Sequence, residues 1–400
     1  MARRPTRRAL LALLALVVAG CSGPVMANPV PEKRPIERPT PAPSRLPDPQ
    51  PVELPRDDGA HDRLTEWWYY TGHLVADDGR RFGFEDVIFR AERGTFPVTW
   101  ASHLALTDES GQRFLFDQRS EVGPQVDVAG AAGGDPAFDL AIRGQKVLGV
   151  PDLAAVPWTM TGGGGVDHLV ATGVANPGPG AADLAGSAFG LDLSLDGSAF
   201  PATLHDHDGY IDFGPAGGSY YYSRPKMTAT GSITLDGQTI PVTGAAWFDH
   251  QWGDFISVGG GGWDWFAINL ADGTDLTLSL VRSADGSYPL VYGTHTRPDG
   301  STEHLERDAF TVEVTDHWTS PATDATYPAG WRVTVPGEEL VIDLAPTVNA
   351  QELDTRATTG VVYWEGSQVV SATRAGQPLG GEAYVELTGY GPGLLAGDQG

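Results

Sequence analysis

The chain has 400 residues with 26 basic and 51 acidic side chains, a formal net charge of −25 at pH 7, which excludes charge-driven binding to nucleic acid or to an anionic bilayer. A hydrophobic content of 41% with 52 glycines excludes a disordered chain and describes a folded one with many tight turns. A single cysteine excludes disulfides within the chain, so a core must hold the fold, and the length suffices to build one.

Residues 1–20 have the make-up of a signal peptide. Arg3, Arg4, Arg7 and Arg8 precede an apolar run from Ala9 to Gly20 that is too short to span a membrane and ends in small residues. The only cysteine, Cys21, follows at the position where a bacterial lipobox places its lipidated residue. The expectation is an exported protein of the bacterial cell envelope, tethered to the membrane by a lipid on Cys21. Cleavage would lower the basic count from 26 to 22 against 51 acids, a net charge of −29, so the lipid rather than charge would supply the tether. Residues 21–57, with prolines at 31, 35, 39, 41, 43, 47, 49, 51 and 55, read as a spacer that is neither helix nor central strand.

From about residue 58 onward the pattern has period two. Leu191, Leu193 and Leu195 alternate with Asp192 and Ser194, and Leu276, Leu278 and Leu280 alternate with Thr277 and Ser279, as in half-buried strands. Asp-Gly pairs at 78–79, 196–197, 236–237, 272–273, 285–286 and 299–300 predict hairpins with type I′ turns. No amphipathic helix longer than three turns is evident, so the expected class is all-β and antiparallel. The length divides into two expected domains, 58–235 and 236–395. A short internal repeat agrees: Trp67-Trp68-Tyr69-Tyr70 and Trp263-Asp264-Trp265-Phe266 each precede an Asp-Gly turn. The glycine runs 162–165 and 259–262 lack the setting of a phosphate loop.

Two blocks concentrate aromatic rings with ionisable groups: Glu66 to Leu74, and Ala246-Trp247-Phe248-Asp249-His250-Gln251-Trp252-Gly253 followed by Trp263 to Phe266. On a strand, Asp249 and Gln251 face one side while His250 and Trp252 face the other. With Ser102 to Asp108, Ser219 to Ser223 and Tyr384 to Tyr390, these blocks, in this order, resemble the AttH-like, carotenoid 1,2-hydratase family across about residues 60–391. The resemblance implies two packed lipocalin-like β-barrels, whose mouths hold small apolar ligands. It further implies cofactor-free hydration of an isoprenoid double bond in the active members.

Such a reaction needs a proton donor, a wall that survives a carbocation and a positioned water. A carboxylic acid raised by an apolar wall, or an imidazolium, can donate, and an indole face stabilises a cation by about 0.5–2 kcal/mol. The candidate catalytic residues are therefore His250, Trp252, Asp264 and Asp249, with Trp67, Trp68, Tyr69, Trp263 and Trp265 as the ligand-binding aromatics. One departure weighs against unchanged hydratase activity. Where the hydratases carry a tyrosine and an aspartate two apart, this chain has Thr277 and Ser279, so unless Asp264, Asp249 or Glu66 substitutes, proton donation falls to His250 alone. No cofactor and no metal are expected; the best local metal candidate, His205-Asp206-His207-Asp208-Gly209, lacks the spacing of a calcium loop, and no HExxH occurs. His73 and His103 read as core or pocket-wall histidines. No Gly-x-Ser-x-Gly elbow supports a hydrolase.

Three functions follow. A tethered lipoprotein that binds an apolar isoprenoid or lipid needs only the barrel and its aromatics. A cofactor-independent hydratase or isomerase needs the acids as well. A structural envelope protein needs neither, and would show a filled interior around His250.

Overall fold

The computed structural model describes residues 48–129, 137–176, 186–255 and 260–391; the expected signal peptide, Cys21 and most of the expected spacer lie outside the described residues. The first sheet is made by β1 (65–76), β2 (81–93), β3 (96–108), β4 (113–122), β5 (138–142), β8 (158–162), β9 (166–174), β10 (188–196), β11 (203–204), β12 (210–212), β13 (218–235) and β14 (238–253), with β6 (145–147) and β7 (150–151) as a separate hairpin. The second is made by β15 (260–270), β16 (275–283), β17 (290–296), β18 (302–305), β19 (311–319), β20 (326–335), β21 (340–346), β22 (352–354), β23 (362–374), β24 (377–379) and β25 (381–388). Among the described residues the only helical pieces are single 3₁₀ turns.

Both sheets are antiparallel and wound alike. The first runs β4-β3-β2-β1-β14-β13-β10-β9-β8-β5 and the second β18-β17-β16-β15-β25-β23-β21-β20-β19. In each, four strands meander and the opening strand then pairs with the closing one, β1 with β14 and β15 with β25. The short repeat in the sequence is thus the mark of a structural one. The first sheet curls until β4 meets the far end of the sheet: Asn176 donates its amide to Phe116 O and Arg143 donates its amide to Glu121.

Alternation drives the packing. On β10, Leu191, Leu193 and Leu195 are buried while Asp192 and Ser194 are exposed. Inward faces of the first sheet bury Trp68, Tyr70, Leu74, Phe84, Trp100, Phe138 and Trp158 in one core, and those of the second bury Phe266, Ile268, Trp331, Trp364 and Val385 in another. The outward faces of β1, β2, β14, β15 and β25 then pack on each other through Tyr69, Val87, Trp247, Trp265, Ala267 and Tyr384. This third layer is a seam between the two curled sheets.

Two sequence expectations are corrected. The Asp236-Gly237 turn is no boundary: it joins β13 to β14 within one sheet, and the chain enters the second sheet between Gly253 and Gly260. An Asp-Gly hairpin is a local signal for pairing, and it binds neighbouring strands together rather than dividing them. Moreover, only Asp236-Gly237 has positive φ at both residues, 52° and 73°. At 78–79, 272–273, 285–286 and 299–300 the glycine alone is left-handed, and the aspartate carboxylate accepts the amide two residues on, an Asx turn rather than type I′.

Candidate functional site

Strand alternation separates the candidate catalytic residues into three environments. On β14, Trp247, Asp249 and Gln251 face the seam, whereas Phe248, His250 and Trp252 face the core of the first sheet. On β15, Trp263 and Trp265 take the seam side, while Asp264 is on the opposite face, with Phe266 and Ile268. His250 and Trp252 do share a wall, as the alternation predicts, but Asp249 and Asp264 are not part of it.

The surroundings of His250 are filled with side chains, the interior expected of a structural role for this histidine. Its ring lies 4.7 Å from Trp68 and 4.7 Å from Trp252, and His61 stacks on Trp252 at 4.1 Å with planes 2° apart. His250 Nε2 is 3.0 Å from Glu66 Oε1, and His61 meets the same carboxylate through Nδ1 at 2.7 Å and its amide at 2.9 Å. Burial alone would raise Glu66, but the His61 charge and the hydrogen bonds from His250 and His61 hold it down to about 2. Glu66 is therefore an anion, not a proton donor. Burial also lowers His250, against the pull of Glu66, so its imidazole is neutral. Deeper in the same core, Asp58 receives Tyr222 and Arg224, and Tyr70 donates to Asp167 at 3.0 Å.

Asp264 is an internal ion pair. Arg282 lies 3.4 Å away and Tyr390 donates to it at 3.0 Å. Burial raises it to about 6, opposed by both neighbours.

The seam carries a different chemistry. One registered row across the second sheet reads Tyr292, Ser279, Trp265, Glu386, Glu365. Across the first sheet the corresponding row reads Ser223, Asp249, Tyr69, Val87, His103. Tyr69 donates to Glu365 Oε1 at 2.8 Å, and Trp265 Nε1 donates to Tyr221 Oη at 3.0 Å, which in turn donates to Asp249 Oδ2 at 2.6 Å. Tyr363 donates to Glu85 at 2.7 Å and accepts from His103 Nδ1 at 2.8 Å. Thr277 and Ser279 pair with Ala267 and Trp265 of β15 and so belong to this face too.

Three carboxyl groups, Glu85, Asp249 and Glu365, are consequently enclosed and a fourth, Glu386, is half-buried, with no cation beside them among the described ion pairs. Burial pushes Asp249 up to about 7 against its hydrogen bonds from Ser223, Tyr221 and Trp247, and Glu386 up to about 7 against the one from Trp263. Burial, then repulsion from Glu85 and Glu386, lifts Glu365 well above the usual carboxylate range, and burial, opposed by the Tyr363 hydrogen bond and joined by repulsion from Glu386 and Asp86, does the same to Glu85. Glu85 Oε2 and Glu365 Oε2 have no hydrogen-bond partner. Neutral acids near physiological pH, walled by indole and phenol rings, can protonate a bound molecule.

One end of this seam is aromatic and reaches solvent. Trp67 packs edge-on against Phe89 and Phe255, and Trp263 is 38% exposed while its indole donates to Glu386 Oε2 at 3.0 Å. Farther along, a gap of about 10 Å³ between Gly72, Trp247, Ala267 and Tyr384 has room for a single water.

Of the expected ligand-binding residues, Trp67, Tyr69, Trp263 and Trp265 come together at the seam, and Trp68 does not, being wholly buried in the first core. Sequence reasoning missed Glu85, Glu365 and Glu386. Their signal was a carboxylate placed inside an otherwise apolar strand with no turn nearby, as in Phe82-Gly83-Phe84-Glu85. His73 and His103 are buried at the seam: His73 Nε2 donates to Ala383 O, and the two ring nitrogens of His103 meet the hydroxyls of Tyr363 and Thr358.

The AttH-like family model matches residues 45–390. A crystal structure of an AttH protein from Nitrosomonas europaea is 31% identical, covers 87% of this chain and 100% of its own, and superimposes with a TM-score of 0.70. Kievitone hydratase from Nectria haematococca, 15% identical over 84% of this chain and 93% of its own, shares the fold with a TM-score of 0.57. No curated protein matches the chain. With its two alike-wound sheets and a family match over most of its length, the protein belongs to the AttH-like family.

Proposed function

We propose that this protein is a cofactor-independent acid catalyst that adds water to a double bond of an apolar, isoprenoid-like substrate at the seam. The observation that carries the reading is Glu386, a half-buried carboxyl raised to about 7 and bonded to the solvent-exposed indole of Trp263. A chain threading between Trp67 and Trp263 would bring its terminal alkene to this acid. Glu386 gives its proton to the less substituted carbon, the resulting tertiary cation faces Trp265 and Tyr69, water adds to it, and the proton released by that water returns to the Glu386 carboxylate. Glu365 and Glu85, uncharged, keep the seam from holding an anion that would trap the cation. The fold shared with a protein named as a hydratase agrees with this reading.

In the same proposal the protein is exported and held at the cell envelope by a lipid on Cys21, which would place the seam beside its apolar substrate. The aromatic end of the seam favours a second reading, a tethered carrier that binds such a ligand without converting it.

Incubating the purified protein with acyclic isoprenoids in oxygen-18 water separates the two. A labelled alcohol formed by the wild type and lost in Glu386→Gln is the expected result. Unchanged isoprenoid that co-elutes with the protein would replace the catalyst by the carrier.

A further inference from the structure

We infer that Asp206, His207 and His304 form a site for a divalent transition ion of the zinc type, joining the two sheets on the flank of the seam. Asp206 and His207 lie in the connection between β11 and β12 of the first sheet, and His304 lies on β18 of the second. One donor atom from each residue falls within 4.8 Å of the other two.

The distances favour a metal over a hydrogen bond. His304 Nδ1 is 3.5 Å from Asp206 Oδ1 and has no hydrogen-bond partner, although its side chain is only 8% exposed. Two ligands on a tetrahedral ion with bonds of about 2.0–2.1 Å stand about 3.3–3.4 Å apart. The pair is therefore spaced as the edge of a coordination tetrahedron. The ring of His207 lies 4.9 Å from that of His304, close enough for its nitrogen to supply the third corner. Asp206 and His207 both hold a left-handed backbone, with φ of 48° and 69°, an uncommon conformation for non-glycine residues.

The neighbouring groups are already committed, which isolates these three. His205 spends Nδ1 on Thr294 at 2.8 Å and Nε2 on Ser223 at 2.7 Å, and Asp208 accepts the Tyr210 amide at 3.0 Å. Glu306 Oε1, 3.8 Å from His304 Nε2 on an exposed side chain, can swing in to accept a hydrogen bond from Nε2–H, which leaves the Nδ1 lone pair free for the ion. A cavity of about 320 Å³, lined by Leu204, His207, Thr294, Thr302, Glu303 and His304, leaves the fourth position open to water. Two imidazoles and one carboxylate suit zinc and its neighbours, whereas calcium and magnesium take oxygen ligands.

Other clusters of this kind do not qualify. Glu66 already accepts from both His61 and His250, and Glu303 and Glu338 near His295 are paired with Arg297. The sequence motif supplied two of the three ligands; the third came from the other sheet.

The test is calorimetric titration of the untagged, chelator-stripped full chain with Zn²⁺, Ca²⁺ and Mg²⁺. One equivalent of Zn²⁺ should bind, with neither of the other ions competing. Removing a ligand in His304→Ala or in the exposed His207→Ala should weaken it by at least the roughly 10–100-fold that losing an outer partner costs. His207→Ala, in a surface turn, keeps the test valid should His304→Ala fail to fold. Absence of Zn²⁺ binding, equal binding of Ca²⁺, or Zn²⁺ binding unchanged in His207→Ala would each overturn the assignment.

Discussion

Tyr69 and Trp265 occupy equivalent places on the opening strands of the two sheets and meet edge to face, 5.3 Å between ring centroids. Each then reaches an acid through a hydroxyl: Tyr69 donates directly to Glu365, and Trp265 donates to Tyr221, which donates to Asp249. Tyr69→Phe would leave Glu365 Oε1 without its donor in a dry seam, at a cost of about 1–3 kcal/mol. Urea unfolding at neutral pH measures this, and Glu365→Gln, which preserves an uncharged group, should cost less.

The raised acids have a definite signature in stability. Asp249 and Glu386 titrate near 4 in the unfolded chain and at about 7 when folded. The folded state therefore binds more protons between these values, and their contribution is complete below about pH 4 and lost as pH rises to about 7. Glu66, held down to about 2, works in the opposite sense, its contribution being lost as pH falls from about 4 toward 2. Thermal unfolding across pH should show a maximum on the acid side of neutrality. Glu386→Gln should flatten the decline between about pH 5 and 7.

Breaking the buried pair of His250 and Glu66 is a structural lesion. His250→Ala leaves Glu66, which is wholly enclosed, short of one of its imidazole donors, and the loss of a hydrogen bond to a buried charged group costs about 1.5–3 kcal/mol. Denaturant titration should record that loss, whereas Glu386→Gln should keep most of the stability and lose turnover.

The two sheets approach closely at Gly83. A Cβ there would lie 2.8 Å from Tyr384 Oη and 2.9 Å from Ser367 Cβ, both on the second sheet. Gly83→Val should therefore push the sheets apart and destabilise by about 1–3 kcal/mol. Differential scanning calorimetry of the variant checks it.

Much of the architecture was legible. Period-two runs announced the strands of both sheets, and the paired aromatic blocks announced β1 and β15 as repeats. Alternation alone put His250 with Trp252 and apart from Asp249. What a linear pattern does not contain is which of two buried faces meets a core and which meets the other sheet. Both faces of β1, and of β14 from Ala246 onward, are enclosed, so Trp67 and Trp68 look alike in sequence although one lines the seam and the other the core. The same ambiguity scattered His250, Asp249 and Asp264 among three places, and it hid Glu85 and Glu365, whose partners Tyr363 and Tyr69 come from the opposite sheet.

The central claim, that the seam stores uncharged acids near neutrality, is tested most directly by following side-chain carboxyl carbons of ¹³C-labelled protein through a pH titration, with Glu386→Gln and Asp249→Asn as assignments. Two resonances titrating near pH 7, each absent from one variant, are the expected result. Carboxyl groups that all titrate below about pH 5, as ordinary exposed ones do, would contradict it.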